Sequence, residues 1–126
     1  MNLHQTISLQ TKIGAESIGY DNFNMVQTVI PTGELRKTCS LGTLYRWIEA
    51  NYHMRIDTYY SNTQKWCYTL RWCDGYGIET LMGEFLYIDS DTNFESEEFA
   101  FDMALQRAIE EIKNIRDEHN RPEEKL

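Results

Sequence analysis

The last third of the chain carries an apolar stripe that fits a long amphipathic helix. With Phe101 at the centre of one face, Ala104, Leu105, Ala108, Ile109, Ile112 and Ile115 all fall within about 80° of it at the helical period. Ser96 supplies an N-cap hydroxyl, and Glu97 and Glu98 suit the positive end of the helix dipole. Run to Asp117, this helix is about 30 Å long. A stripe of that length must be covered, so the rest of the chain has to supply a core surface.

The middle of the sequence supplies one. Ser40 reads as an N-cap, after which Leu41, Leu44, Tyr45, Ile48 and Tyr52 share a face and Asn51 marks the helix end. Gly42 near the first turn is a tolerable weakness. Three strands follow: Arg55 to Tyr60, Lys65 to Cys73 and Ile78 to Ile88. Ser61 to Gln64 and Asp74-Gly75-Tyr76-Gly77 are the turns, and Gly83 reads as a bulge. Such short connections predict an antiparallel meander. Ahead of it, Thr6 to Ile13 alternates apolar and polar residues and Met25 to Ile30 reads as a second strand, ended by Pro31-Thr32-Gly33. An N-terminal β-hairpin is therefore expected, with a mobile arm as its alternative. The predicted class is α+β: helix, three-stranded antiparallel meander and long C-terminal helix, with both helices on one sheet face. The expected divisions are 1–37 (arm or hairpin), 38–117 (domain) and 118–126 (charged tail with Pro122).

Size and charge narrow the function classes. A chain of 126 residues, 41% hydrophobic, fits one domain with an ordinary core. No apolar run is long enough to span a membrane, and Met1 to Gln10 lacks a secretory pattern. Cys39, Cys67 and Cys73 are an odd set, and the last two share a predicted strand too far apart to pair. Reduced thiols and a cytoplasmic location are the expectation. The net charge of −8 arises entirely after residue 80, because residues 1–80 balance seven acids with seven bases. That distribution disfavours nucleic acid and anionic membranes as partners of the C-terminal third.

No motif in the sequence carries recognisable chemistry. His4, His53 and His119 are scattered, and no phosphate loop, nucleophile elbow or C-x-x-C occurs. Asp89-Ser90-Asp91 is only a fragment of a calcium loop. Hence no catalytic residue, metal or cofactor is expected. Two surfaces remain as candidates. On the closing helix, Phe99 and Met103 are i, i+4 neighbours opposite the core stripe, with Asp102, Gln106 and Glu110 around them, a pattern suited to a basic protein partner. On the second strand, Trp66, Tyr68, Leu70 and Trp72 point to the core, which leaves Cys67, Thr69, Arg71 and Cys73 on the open face. Arg71 there, with Arg55 and Tyr59 of the first strand, is a candidate contact for single-stranded nucleic acid.

Ile30-Pro31-Thr32, the helix Leu44-Tyr45-Arg46-Trp47-Ile48-Glu49-Ala50-Asn51-Tyr52 and the segment Phe94 to Ile112 together resemble a group of small proteins from Bacteroidetes bacteria and their phages. The positions that carry it are Trp47, Ile56, Ser96, Ala100, Leu105 and Ala108, within residues 30–115. The resemblance implies a helix–strands–helix domain of mobile-element origin. The group has no assigned activity, so no catalytic residue follows from it. Phe99 and the long N-terminal segment depart from its pattern. The element order is also similar to double-stranded RNA-binding domains and HicB-like antitoxins, but Glu110, Glu111, Asp117 and Glu118 oppose the basic helix end an RNA binder needs. The leading expectation is a non-enzymatic accessory protein that modulates a host factor by protein–protein contact. A nucleic-acid module using the open sheet face is second. An uncovered edge strand would also allow a homodimer.

Overall fold

The long helix predicted from the stripe is the spine of the molecule. The computed structural model describes residues 1–27, 35–73, 85–90 and 92–120, with the backbone alone for 25–27, 35–36, 72–73, 85–87 and 115–120. In chain order the elements are α1 (Leu9–Ser17), β1 (Asn24–Gln27), β2 (Leu35–Thr38), α2 (Leu41–Tyr52), β3 (Met54–Tyr60), β4 (Trp66–Cys73), β5 (Phe85–Asp89) and α3 (Glu97–Asn120). The class is α+β, with the helices packed on an antiparallel sheet ordered β3-β4-β5.

Burial follows the sequence pattern closely in α3. Phe101, Ala104, Leu105, Ala108, Ile109 and Ile112 are all buried, and the Ile115 side chain lies outside those described. Their partners are Leu41, Leu44 and Ile48 of α2, Met54 and Ile56 of β3, and Tyr68 and Leu70 of β4. Ser96 accepts from the Phe99 amide at 3.1 Å, as an N-cap should. Ser40 does the same for Thr43 at 3.2 Å. The α2 helix runs to Tyr52, just past Asn51, and stops where His53 turns left-handed (φ 57°). The β3–β4 turn closes through Ser61 N donating to Lys65 O at 2.8 Å.

The first segment differs from expectation. Residues 9–13, whose alternation suggests the second half of a strand, instead open the helix α1 (Leu9–Ser17), capped by Ser8. The burial explains why. Ile7, Thr11, Ala15 and Ile18 are buried at helical spacing, while Leu9 and Ile13 are 61% and 51% exposed. The two exposed apolar residues create the false alternation. A two-stranded hairpin does form at this end, but it pairs β1 with β2, with Asn24 opposite Thr38. Before α1, the chain runs antiparallel to the start of α2: Ile7 N donates to Cys39 O, Leu41 N to Gln5 O and Gly42 N to Leu3 O. A Cβ on Gly42 would lie 3.1 Å from Leu3 Cβ, so glycine is what admits this close approach.

Of the third predicted strand, Phe85 to Ile88 lies in β5. Ile78 to Glu84, with the Gly83 bulge, falls outside the described residues, as do the Pro31-Thr32-Gly33 and Asp74-to-Gly77 turns, Asp91 and the tail from Arg121. Helix α3 continues through residues 118–120, past the expected boundary at Asp117.

Candidate interaction surface

The sheet extends beyond the first turn of α3, and at that end its helix-facing side runs out of cover. Tyr60 and Trp66 are register partners at the β3–β4 end, with ring centroids 5.2 Å apart. Trp66 and Phe94 exchange backbone hydrogen bonds of 2.8 and 2.7 Å, which brings the segment before α3 in as a short extension of the sheet. The Phe94 ring stacks on Tyr68 at 6.0 Å and tilts against Phe99 at 5.4 Å. The Ser96 cap holds Phe99 in the first turn of α3. The result is a line of aromatic side chains, Tyr60, Trp66, Phe94 and Phe99. Its outer members are 58% and 52% exposed, while Trp66 and Phe94 are half-buried.

Carboxylates border this line. Glu95 pairs with Lys65. Glu97 accepts from the Thr58 hydroxyl at 2.7 Å and lies 3.5 Å from the Met1 amino group. Glu98 accepts from the Asn2 amide at 2.8 Å, and that bond holds its carboxyl below the usual glutamate range. The border is acidic but internally paired, so contact here would rest chiefly on aromatic area.

The structure divides the residues singled out on α3. Phe99 is exposed, whereas Met103 is half-buried against the core. Asp102 is 6% exposed, because its Oδ1 accepts from the Ser8 amide at 3.1 Å. Gln106 donates to Asp102 Oδ2 and to Ser8 Oγ, both at 3.4 Å. The N-terminal segment therefore covers Asp102 and Gln106 and leaves Phe99 open. Glu110 is exposed further along the helix. Phe99 consequently has aromatic neighbours from the sheet end rather than the residues around it on its own helix. Tyr60, Trp66 and Phe94 were missed in the sequence. Their juxtaposition depends on how far the sheet overruns the start of α3, and no local pattern reports that.

Arg55, Tyr59 and Arg71 do share the sheet face turned away from the helices. Arg55 lies opposite Arg71, and Tyr59 opposite Cys67. Arg71 pairs with Asp57 at 2.6 Å. Asp89, opposite Thr69 on the same face, is exposed. Among the described residues of these strands, two arginines and two aspartates leave the face electrically balanced. Cys67 is buried despite lying on that face, its thiol donating to Asn93 Oδ1 at 2.8 Å. Cys39 and Cys67 are both free thiols. Among the described residues, no group of three His, Cys, Asp or Glu side chains is placed to hold a metal, and no helix is long and apolar enough to cross a membrane.

Compared with known protein families, curated proteins and solved structures, the chain has no significant match in any of the three.

Proposed function

We propose that this chain is a non-enzymatic accessory protein that acts by protein–protein contact, docking its partner on the Tyr60–Trp66–Phe94–Phe99 line. One observation carries the reading: two aromatic side chains more than half exposed, joined through two half-buried ones into a continuous surface. Aromatic residues are enriched at interface centres, and a buried aromatic anchor contributes more than about 2 kcal/mol to many complexes. The resemblance to small Bacteroidetes and phage proteins supports a modulator of a host factor, working in the cytoplasm. A nucleic-acid contact on the open sheet face is the second reading. Arg55 opposite Arg71 beside an exposed Tyr59 favours it, and the balancing aspartates weigh against it.

The test is affinity capture from a Bacteroidetes lysate with the wild type and a Tyr60→Ser/Phe99→Ser pair, followed by titration of the purified prey. The expected loss is at least about thirtyfold in Kd. Equal affinity for both proteins would remove the docking surface. Salt-sensitive binding to a single-stranded oligonucleotide, abolished by Arg71→Ala, would move the function to the sheet face. A concentration-dependent mass by light scattering, lost in the aromatic pair variant, would make the partner a second copy of the chain.

A further inference from the structure

The aromatic line offers hydrogen-bond donors but few free acceptors. The Tyr60 hydroxyl and the Trp66 indole N–H have no hydrogen-bond partner among the described residues, where no buried side-chain polar atom lacks one, so both groups are open to solvent. The indole can only donate, and the hydroxyl can donate as well as accept. Phe94 and Phe99 present ring surface alone. The backbone groups of Trp66 and Phe94 are already bonded to each other. Of the bordering carboxylates, Glu95 pairs with Lys65, Glu97 accepts from Thr58 and Glu98 accepts from Asn2.

Such a surface selects among peptide conformations. A β-strand laid across these rings would press backbone N–H groups against aromatic carbon, and each one left unpaired costs about 1–3 kcal/mol. A helix bonds its carbonyls within its own ladder and would set apolar side chains against both donors. A proline-rich segment has no N–H at its prolines. In the polyproline II conformation it makes no internal hydrogen bonds, so its carbonyls are available to Trp66 and Tyr60. Its pyrrolidine rings supply apolar area for aromatic faces, and its preset backbone loses little freedom on docking.

We propose, resting on the docking role of this line, that its occupant is a proline-rich segment of the partner protein. Trp66 Nε1 and the Tyr60 hydroxyl donate to its carbonyls, and its proline rings pack on Tyr60, Trp66, Phe94 and Phe99. Charge adds a second element of complementarity. The Glu95 side chain, next to Phe94, is 84% exposed even though it pairs with Lys65. A basic residue beside the prolines can reach that carboxylate, for a modest gain that salt screens.

NMR shifts of the full chain, titrated with the peptide acetyl-Arg-Pro-Leu-Pro-Pro-Leu-Pro-amide, test this against the same peptide with every proline replaced by alanine. The expected result is saturable movement of the Trp66 indole N–H, with affinity at least about tenfold weaker for the alanine peptide. Trp66→Phe keeps an aromatic ring and removes the donor, so binding followed at the Phe99 amide should weaken several-fold. Tyr60→Ser/Phe99→Ser should abolish saturation. Amides of the core should keep their wild-type positions in both variants. The proposal is overturned by no saturable response, by equal affinity for the two peptides, or by wild-type affinity in either variant. Prey from the lysate that still requires Tyr60 and Phe99 would then leave the docking surface standing with a segment of another kind. Prey indifferent to both would remove the surface as well.

Discussion

Tyr20 illustrates how one buried hydroxyl sets an alkaline limit on the fold. Its ring meets Phe23 and Trp47 edge-on at 5.0 and 5.1 Å, and its hydroxyl donates to Asn22 O at 3.1 Å. Burial, reinforced by neighbouring Cys39 and Asp21, pushes its pKa from 10.0 to about 12. Burial also raises the Cys39 thiol, against a partly offsetting hydrogen bond to Tyr20, and raises the phenol of Tyr45. In each case the fold favours the neutral form. Their contribution is therefore fully present below the unfolded-state pKa and is lost as pH rises through the folded one. Unfolding free energy from urea melts should stay level up to about pH 9 and then fall. Tyr20→Phe should remove the part of that fall between 10.0 and about 12 and leave the Cys39 and Tyr45 parts. Parallel curves for the two proteins would show that Tyr20 does not set the limit.

Helix α1 owes its position to a glycine at the crossing with α3. A Cβ on Gly14 would lie 3.2 Å from Ile109 Cγ2, closer than nearly all packed methyls. Replacing Gly14 by alanine would trade helix propensity against that contact, but a β-branched side chain can only overpack it. Gly14→Val should cost about 1–3 kcal/mol in urea unfolding. Adding Ile109→Ala should cost less than the sum of the two single changes, because it opens the space the valine needs. Strict additivity would mean the two helices do not meet there. The same crossing shows what the sequence could and could not reveal. The stripe of α3 was readable because its six described positions are all buried at one period. Helix α1 was not, because its buried face includes a threonine and a glycine approach while Leu9 and Ile13 point outward. Phe99 stood out because it breaks a polar helix face. The aromatic line around it was not readable, because Trp66 follows the core alternation of β4 and becomes a surface residue only where α3 has not yet begun.

Across the whole molecule, the core is assembled from both ends of the chain. Ile7, Thr11, Ala15, Ile18 and Tyr20 are buried with residues of α2 and α3. Ser8 also supplies the amide that accompanies Asp102 into the interior. Removing residues 1–20 would uncover the Ile109 flank of α3 and leave the Asp102 carboxylate without its backbone donor. It would also strip the antiparallel contacts from the start of α2. Full burial of an aliphatic or aromatic side chain is worth about 1.5–3 kcal/mol, so Ile7, Ile18 and Tyr20 alone account for several kcal/mol of gross stabilisation. Whole domains are stable by only about 5–15 kcal/mol. The entropy no longer spent on ordering the removed residues and the hydration of Asp102 return part of that loss, but the apolar flank of α3 that they covered is left in water. A chain starting at Asp21 should therefore lose its near-ultraviolet circular dichroism, bind a hydrophobic dye and unfold without a sharp transition in urea. A cooperative transition with a native near-ultraviolet spectrum would show instead that residues 38–117 carry the fold and that the first helix is only docked on it. Because the aromatic line depends on α3 being seated on the sheet, the truncated chain should lose partner binding along with its cooperativity, whereas Tyr60→Ser/Phe99→Ser should lose binding alone.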